Sequence, residues 1–168
     1  MDSMSKPFEN ILITPVVDGP FFIDDLFQRK FAHPAPDIGT PLIAFYRKGW
    51  GHFIPVCYIS YIPLDEVILV GGGMTDGGAF AHMPEKLQSD IRESSGIFYH
   101  VLRFGFEHFK NDCEAFFGYA GDKRAYEMDL KAGFRPTGHQ HLIANFHKPL
   151  SEERKQLLIA KIHAIGPF

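Results

Sequence analysis

The sequence predicts one α/β domain in which a mostly antiparallel sheet lies between helices, with an added helix at the C-terminal end. Three observations predict it. Apolar, β-prone runs at residues 42–46, 53–62 and 67–70 are divided by Lys48, Gly49, Trp50 and Gly51 and then by Pro63, Leu64, Asp65 and Glu66, and short separators of this kind make antiparallel hairpins. The runs are nearly continuous in apolar character rather than alternating, so both faces of the sheet are covered. After residue 78, helical and strand patterns take turns to the end of the chain.

Each element has a local reason. Residues 11–17 are mostly apolar and β-branched and stop at Asp18, Gly19 and Pro20, which predicts a first strand ending in a turn. Phe22, Leu26, Phe27 and Phe31 recur at helical spacing before the Pro-rich stretch 34–41 breaks the pattern. Pro84 opens a helix carrying Met83, Leu87 and Ile91 at four-residue intervals, and residues 94–109 continue helically as a second helix or the far half of a kinked one. Residues 115–120 form a short strand, Asp122 caps a helix through Ala132, and Gly133 stands where a left-handed cap is wanted. Residues 141–146 form the last strand. Ser151, Glu152 and Glu153 then open a helix with Leu158, Ile162 and Ile165 on one side.

Composition narrows the function classes. With 168 residues, 45% of them hydrophobic and 17 of them Phe, the chain carries enough apolar surface for one core to offset the entropy lost on folding. The formal charge is -3 and the Lys and Arg residues are scattered, so no basic stripe suits a nucleic-acid backbone. There is no apolar run of about 18 residues and no signal-peptide order at the start, so the chain is expected in the cytoplasm and off the membrane. Cys57 and Cys113 are expected to be reduced and buried. The aromatic stretch from Phe98 to Tyr119 reads as core.

Several local patterns fail as sites. GGGMTDGG at 71–78 has Asp76 where a dinucleotide loop needs its third glycine and Gly78 where a P-loop needs lysine, so it reads as a flexible turn. His139 and His141 would share one strand face, with His147 on the same parity, but no carboxylate or Cys partner stands nearby, and no metal is expected.

The segment GDKRAYEMDLKAGF at 121–134 resembles the fourth helix of the GCN5-related N-acetyltransferases, with Lys131, Ala132, Gly133 and Phe134 matching its ending. Arg92, Glu93, Ser94, Ser95, Gly96 and Ile97 resemble the loop in which that family receives the pyrophosphate of acetyl-CoA on backbone amides at a helix start. The resemblance covers roughly residues 66–147. Ser95 stands at the first motif glycine, Asp122 at the family's asparagine and Asp129 at its frequent general-acid tyrosine. The family's final hairpin reads as shortened to one strand.

The resemblance implies an acyl-CoA N-acyltransferase fold, binding of acetyl-CoA at Gly73, Met74, Arg92, Ser94, Ser95, Gly96, Ile97 and Asp122, and direct attack of an amine on the thioester. Backbone amides near Gly71 to Met74 would polarise the carbonyl. With Asp129 in place of tyrosine, Tyr119 and Tyr126 are the nearest replacement acids, and Asp65, Glu66 or Asp76 are candidate bases. The acceptor is an amine of a small molecule or a protein. Two other readings stand beside this one: a non-catalytic domain of the same fold that binds a CoA ester or another ligand, and an unrelated α/β module whose terminal helix mediates self-association. That helix packs on the body or on a second copy, which leaves a homodimer open.

Overall fold

The computed structural model describes residues 4–168. Its sheet has seven strands in the order β1, β2, β3, β4, β5, β7, β6. They span Ile11–Pro15, Thr40–Gly49, His52–Leu64, Val67–Thr75, Ala115–Tyr119, Arg135–Pro136 (β6) and Leu142–Asn145 (β7). All neighbours are antiparallel except β4 and β5. The parallel pair needs a crossover, and α2 (Glu85–Glu93) with α3 (Ile97–Phe109) supplies it. The remaining helices are α1 (Gly19–Phe31), α4 (Lys123–Ala132) and α5 (Glu152–Ile165).

Two helical layers cover the sheet, as the continuous apolar runs predict. On one face α3 and α4 enclose a core that includes Tyr61, Ile68, Val70, Phe116 and Phe134. On the other, α5 buries Leu158, Ile159 and Ile162 against Val67, Leu69, Phe117 and Leu142. Beside it, α1 sets Ile23 and Phe27 on Ile43, Tyr58 and Met74. Both cysteines are free and buried.

Three boundaries differ from the sequence reading, and one alternative that it left open is decided. β1 ends at Pro15, and the Val16 N–H turns to the Pro41 carbonyl at 3.0 Å; Asp18 then caps α1 by accepting from Phe21 N–H. Residues 85–109 form two helices, because Ser95 and Gly96 both take φ of 90° and break the ladder. The final hairpin keeps both its strands, but β6 has only two residues and ends at Pro136, too short for a periodic signal. His141, at φ 66°, lies in the turn before β7, so the three histidines share no strand face. His139 stacks on His163 at 3.7 Å, His141 faces Tyr119, and His147 contacts the Lys110 carbonyl. Ile165 is exposed rather than on the buried side of α5.

Candidate active site

The candidate site lies where β4 and β5 part. Their ladder runs from Val67 opposite Ala115 to Val70 opposite Gly118 and stops there. β4 continues to Thr75 beside β3, so its other edge loses its partner and its backbone groups face an open cleft. A register shift against β3 between Tyr58 and Ser60 sits at the same level, and Gly72 takes φ of 62° there. An extra residue at this point bends the strand outward. The three glycines differ in what they serve. A Cβ at Gly71 would meet nothing within 4 Å, Gly72 needs its left-handed backbone, and a Cβ at Gly73 would stand 2.6 Å from Cε2 of Phe98.

The start of α3 stands over this open end. No side chain caps it, and a Cβ at Gly96 would meet open space. The orphan N–H groups of its first turn therefore face outward in an acceptor-seeking array. The elbow before it is tied from within. Gly96 N–H donates to the Ile91 carbonyl at 2.8 Å, and Ser94 Oγ donates to the same carbonyl at 3.0 Å while lying 2.9 Å from His100 Nε2. Burial lowers the His100 pKa, so a neutral ring donating to Ser94 suits this place. Arg92 is exposed and forms no ion pair among the described residues.

The remaining predicted residues divide between the two faces. Met74 buries its side chain under α1, so only its backbone borders the cleft. Ile97 is buried in the core and offers only its N–H. The Asp122 carboxylate is occupied, accepting from Ala125 N–H at 2.9 Å as the α4 cap. Tyr126 packs on the α3 side and lines a cavity of about 560 Å³ between the start of α4 and the β6–β7 turn. Tyr119 points to the opposite face, between His141 at 5.6 Å and Phe168 at 6.1 Å. The sheet thus separates the two tyrosines.

Asp129 lies one turn along α4 from Tyr126, with no hydrogen bond or ion pair to its carboxylate among the described residues. Its carbonyl accepts from Phe134 N–H at 3.0 Å, and the Phe134 ring lies against Gly118, which sets this turn of α4 at the level where the strands part. Burial without a compensating partner pushes the Asp129 carboxyl up to about 7. The candidate bases fare differently. Asp65 and Glu66 pair with Lys161 beyond the Val67 end of β4, four residues or roughly 13 Å of strand from the level at which the β4–β5 ladder stops. Asp76 lies at the near end, where it accepts from Gly78 N–H and faces Arg29 at 3.9 Å.

No protein-family model matches the chain, and no curated protein sequence does. Solved structures do match. Among them are an acetyltransferase of the GNAT family from Staphylococcus aureus Mu50 (16% identity, TM-score 0.54, covering 82% of this chain and 99% of that one) and the ribosomal-protein-S5-alanine acetyltransferase from Vibrio fischeri (10% identity, TM-score 0.56, covering 84% and 97%). A chain of the NatC complex bound to Gag peptide and CoA matches with a TM-score of 0.55 at 13% identity, over 84% of this chain and 99% of that one. The chain therefore has the fold of the GCN5-related N-acetyltransferases, as a divergent example. Among the described residues no helix is long and apolar enough to cross a membrane, and no group of three or more His, Cys, Asp or Glu is placed to hold a metal ion.

Proposed function

We propose that this chain is an acyl-CoA-dependent N-acyltransferase that moves an acetyl group to an amine of a small molecule or a protein in the cytoplasm. The single observation that carries the reading is the cleft itself: a β4 edge unpaired with β5 beyond Val70, beside an uncapped α3 start whose Phe98 lies against Gly73. The two surfaces suit the two chemistries of one ligand, since free strand backbone pairs with an amide-bearing chain and a helix start with a pyrophosphate. The fold neighbours support acyl-CoA use, one of them being bound to CoA.

Acetyl-CoA supplies an activated acyl group as a thioester. This chain's residues supply the rest. Backbone groups of Gly73 and Met74 orient the carbonyl, the amides after Gly96 hold the phosphates with Arg92 alongside, and Asp129 holds a proton near neutral pH for the departing thiolate. Asp76 is the carboxylate at the near end of β4 suited to accept the amine proton. One neighbour is named for a ribosomal-protein alanine and another is bound to a peptide, which makes a protein amine as reasonable a target as a small molecule.

The second reading, a binding domain without turnover, is favoured by one observation, the acidic residue at 129 where the family uses tyrosine. Calorimetry with acetyl-CoA, with free CoA as comparison, followed by an amine-acceptor screen for CoA release, separates the readings. Saturable one-to-one binding with turnover supports the enzyme, binding without turnover supports the second reading, and no binding at millimolar ligand leaves an interaction module.

A further inference from the structure

α3 begins directly after a strained elbow. Ser95 and Gly96 both take φ of 90°, and for a serine this conformation persists only where its surroundings over-determine it. The bonds on either side of Ser95 do so. Ser94 Oγ donates to the Ile91 carbonyl at 3.0 Å, and Gly96 N–H donates to the same carbonyl at 2.8 Å. Residues 94 and 96 are thus tied to one oxygen in the last turn of α2, and the serine between them has little freedom to relax.

His100 completes this tie. It stands one turn into α3, and because helical side chains lean toward the N-terminus, its half-buried ring reaches back to the elbow. Its Nε2 lies 2.9 Å from Ser94 Oγ. The hydroxyl proton is committed to Ile91, so Nε2–H is the donor, and the bonds run in one direction from His100 through Ser94 to Ile91. Edge contact with Phe8, at 5.1 Å between centroids and 83° between planes, fixes the plane of the imidazole and with it the aim of Nε2.

We propose that His100 is a positioning residue for acyl-CoA binding: by donating to Ser94 it holds the elbow in the shape that leaves the α3 amides aimed outward at the pyrophosphate. The inference rests on the acyl-CoA reading above. An elbow released from this tie samples other shapes, and a ligand that needs one of them binds more weakly by the fraction of time it is present. If the released elbow keeps the competent shape about a tenth of the time, affinity falls roughly tenfold.

The test is calorimetry of acetyl-CoA on the full chain as wild type, His100→Phe, His100→Gln, Ser94→Ala and the Ser94→Ala/His100→Phe pair, each checked for a cooperative thermal transition. Phenylalanine keeps a ring beside Phe8 and loses the donor, whereas glutamine loses the ring and offers an amide N–H at similar reach. The positioning role predicts roughly tenfold weaker binding for His100→Phe and near wild-type binding for His100→Gln. The pair is expected to lose no more than Ser94→Ala alone, because both substitutions break one connected set of bonds. Ser94→Ala opens the same tie from its other end, with the same loss expected, and carries the test should a substitution at 100 not fold. Unchanged affinity for His100→Phe or Ser94→Ala, glutamine losing as much as phenylalanine, or losses that add in the pair each overturn the positioning role while leaving the acyl-CoA reading intact. Absence of binding in wild type overturns that reading, and the positioning role with it.

Discussion

Tyr61 fits beneath Gly105 so closely that a Cβ on the glycine would overlap the hydroxyl-bearing end of the phenol, with Cε1 at 2.6 Å. The phenol donates to the α3 backbone at the Leu102 carbonyl, 3.3 Å away, and stacks on Phe109 at 5.1 Å. This contact sets α3 down on β3 and so fixes the helix whose other end stands over the cleft. Gly105→Ala must push the helix off a buried ring, which overpacking costs place at about 2–3 kcal/mol. For a chain of this size that is a loss of roughly 5–10 °C in Tm by differential scanning calorimetry. Adding Tyr61→Leu makes room and is expected to recover part of it; no recovery would show that the contact is not what the glycine serves.

Much of this arrangement was legible in the sequence, for physical reasons that also mark its limits. The β2, β3 and β4 hairpins follow from turn residues between β-prone runs, and α4 from an Asp cap at 122 and a glycine at 133 with φ of 135°. These are local signals. The two-residue β6 is held by pairing with β7 rather than by its own pattern. The α2–α3 break depends on a left-handed Ser95, which nothing in serine's propensity announces. The parting of β4 from β5 is a tertiary event, invisible to periodicity, whereas Tyr119 shares a sheet face with Ala115 and Phe117 by strand alternation and is thereby kept apart from Tyr126. Gly73 was visible as a glycine but not as the seat of the Phe98 ring, a contact between residues 25 positions apart in the chain.

The α3 start yields a binding prediction. Gly96 carries φ of 90° and faces open space, so Gly96→Asp both strains the backbone and places a carboxylate beside the orphan amides. Acetyl-CoA affinity is expected to fall at least tenfold. Gly96→Asn, which tolerates positive φ better and adds no charge, is expected to lose less. Equal affinity for all three proteins in calorimetry would remove this loop from the ligand site.

The two tyrosines are separable by kinetics because they face opposite sides of the sheet. Tyr126→Phe, on the α4 side with Asp129, is expected to lower kcat several-fold by changing the surroundings of the proton donor. Tyr119→Phe, packed against His141 and Phe168, is expected to leave kcat in place and to act on the acceptor KM. A kcat loss confined to Tyr119→Phe would transfer the donor role to the other face.

Asp129 yields a pH prediction whose sign follows from its environment. Its folded pKa, about 7, lies above the ordinary 3.8, so the folded protein retains a proton that the unfolded chain releases. The stability this group contributes is therefore complete below about pH 4 and is lost as pH rises through 7. Asp129→Asn keeps the shape and removes the charge, so it is expected to stabilise the protein at pH 8 by about 2 kcal/mol, a figure reduced for partial exposure, and to have little effect at pH 3.5. Denaturant titrations of both proteins at the two pH values check this. Activity should move the opposite way: if the carboxyl is the donor, wild-type kcat falls as pH rises above 7, and the asparagine variant loses both that limb and most of its turnover. A stabilised variant with an unchanged kcat–pH profile would keep Asp129 as a buried acid in the α3–α4 layer and take the proton transfer away from it.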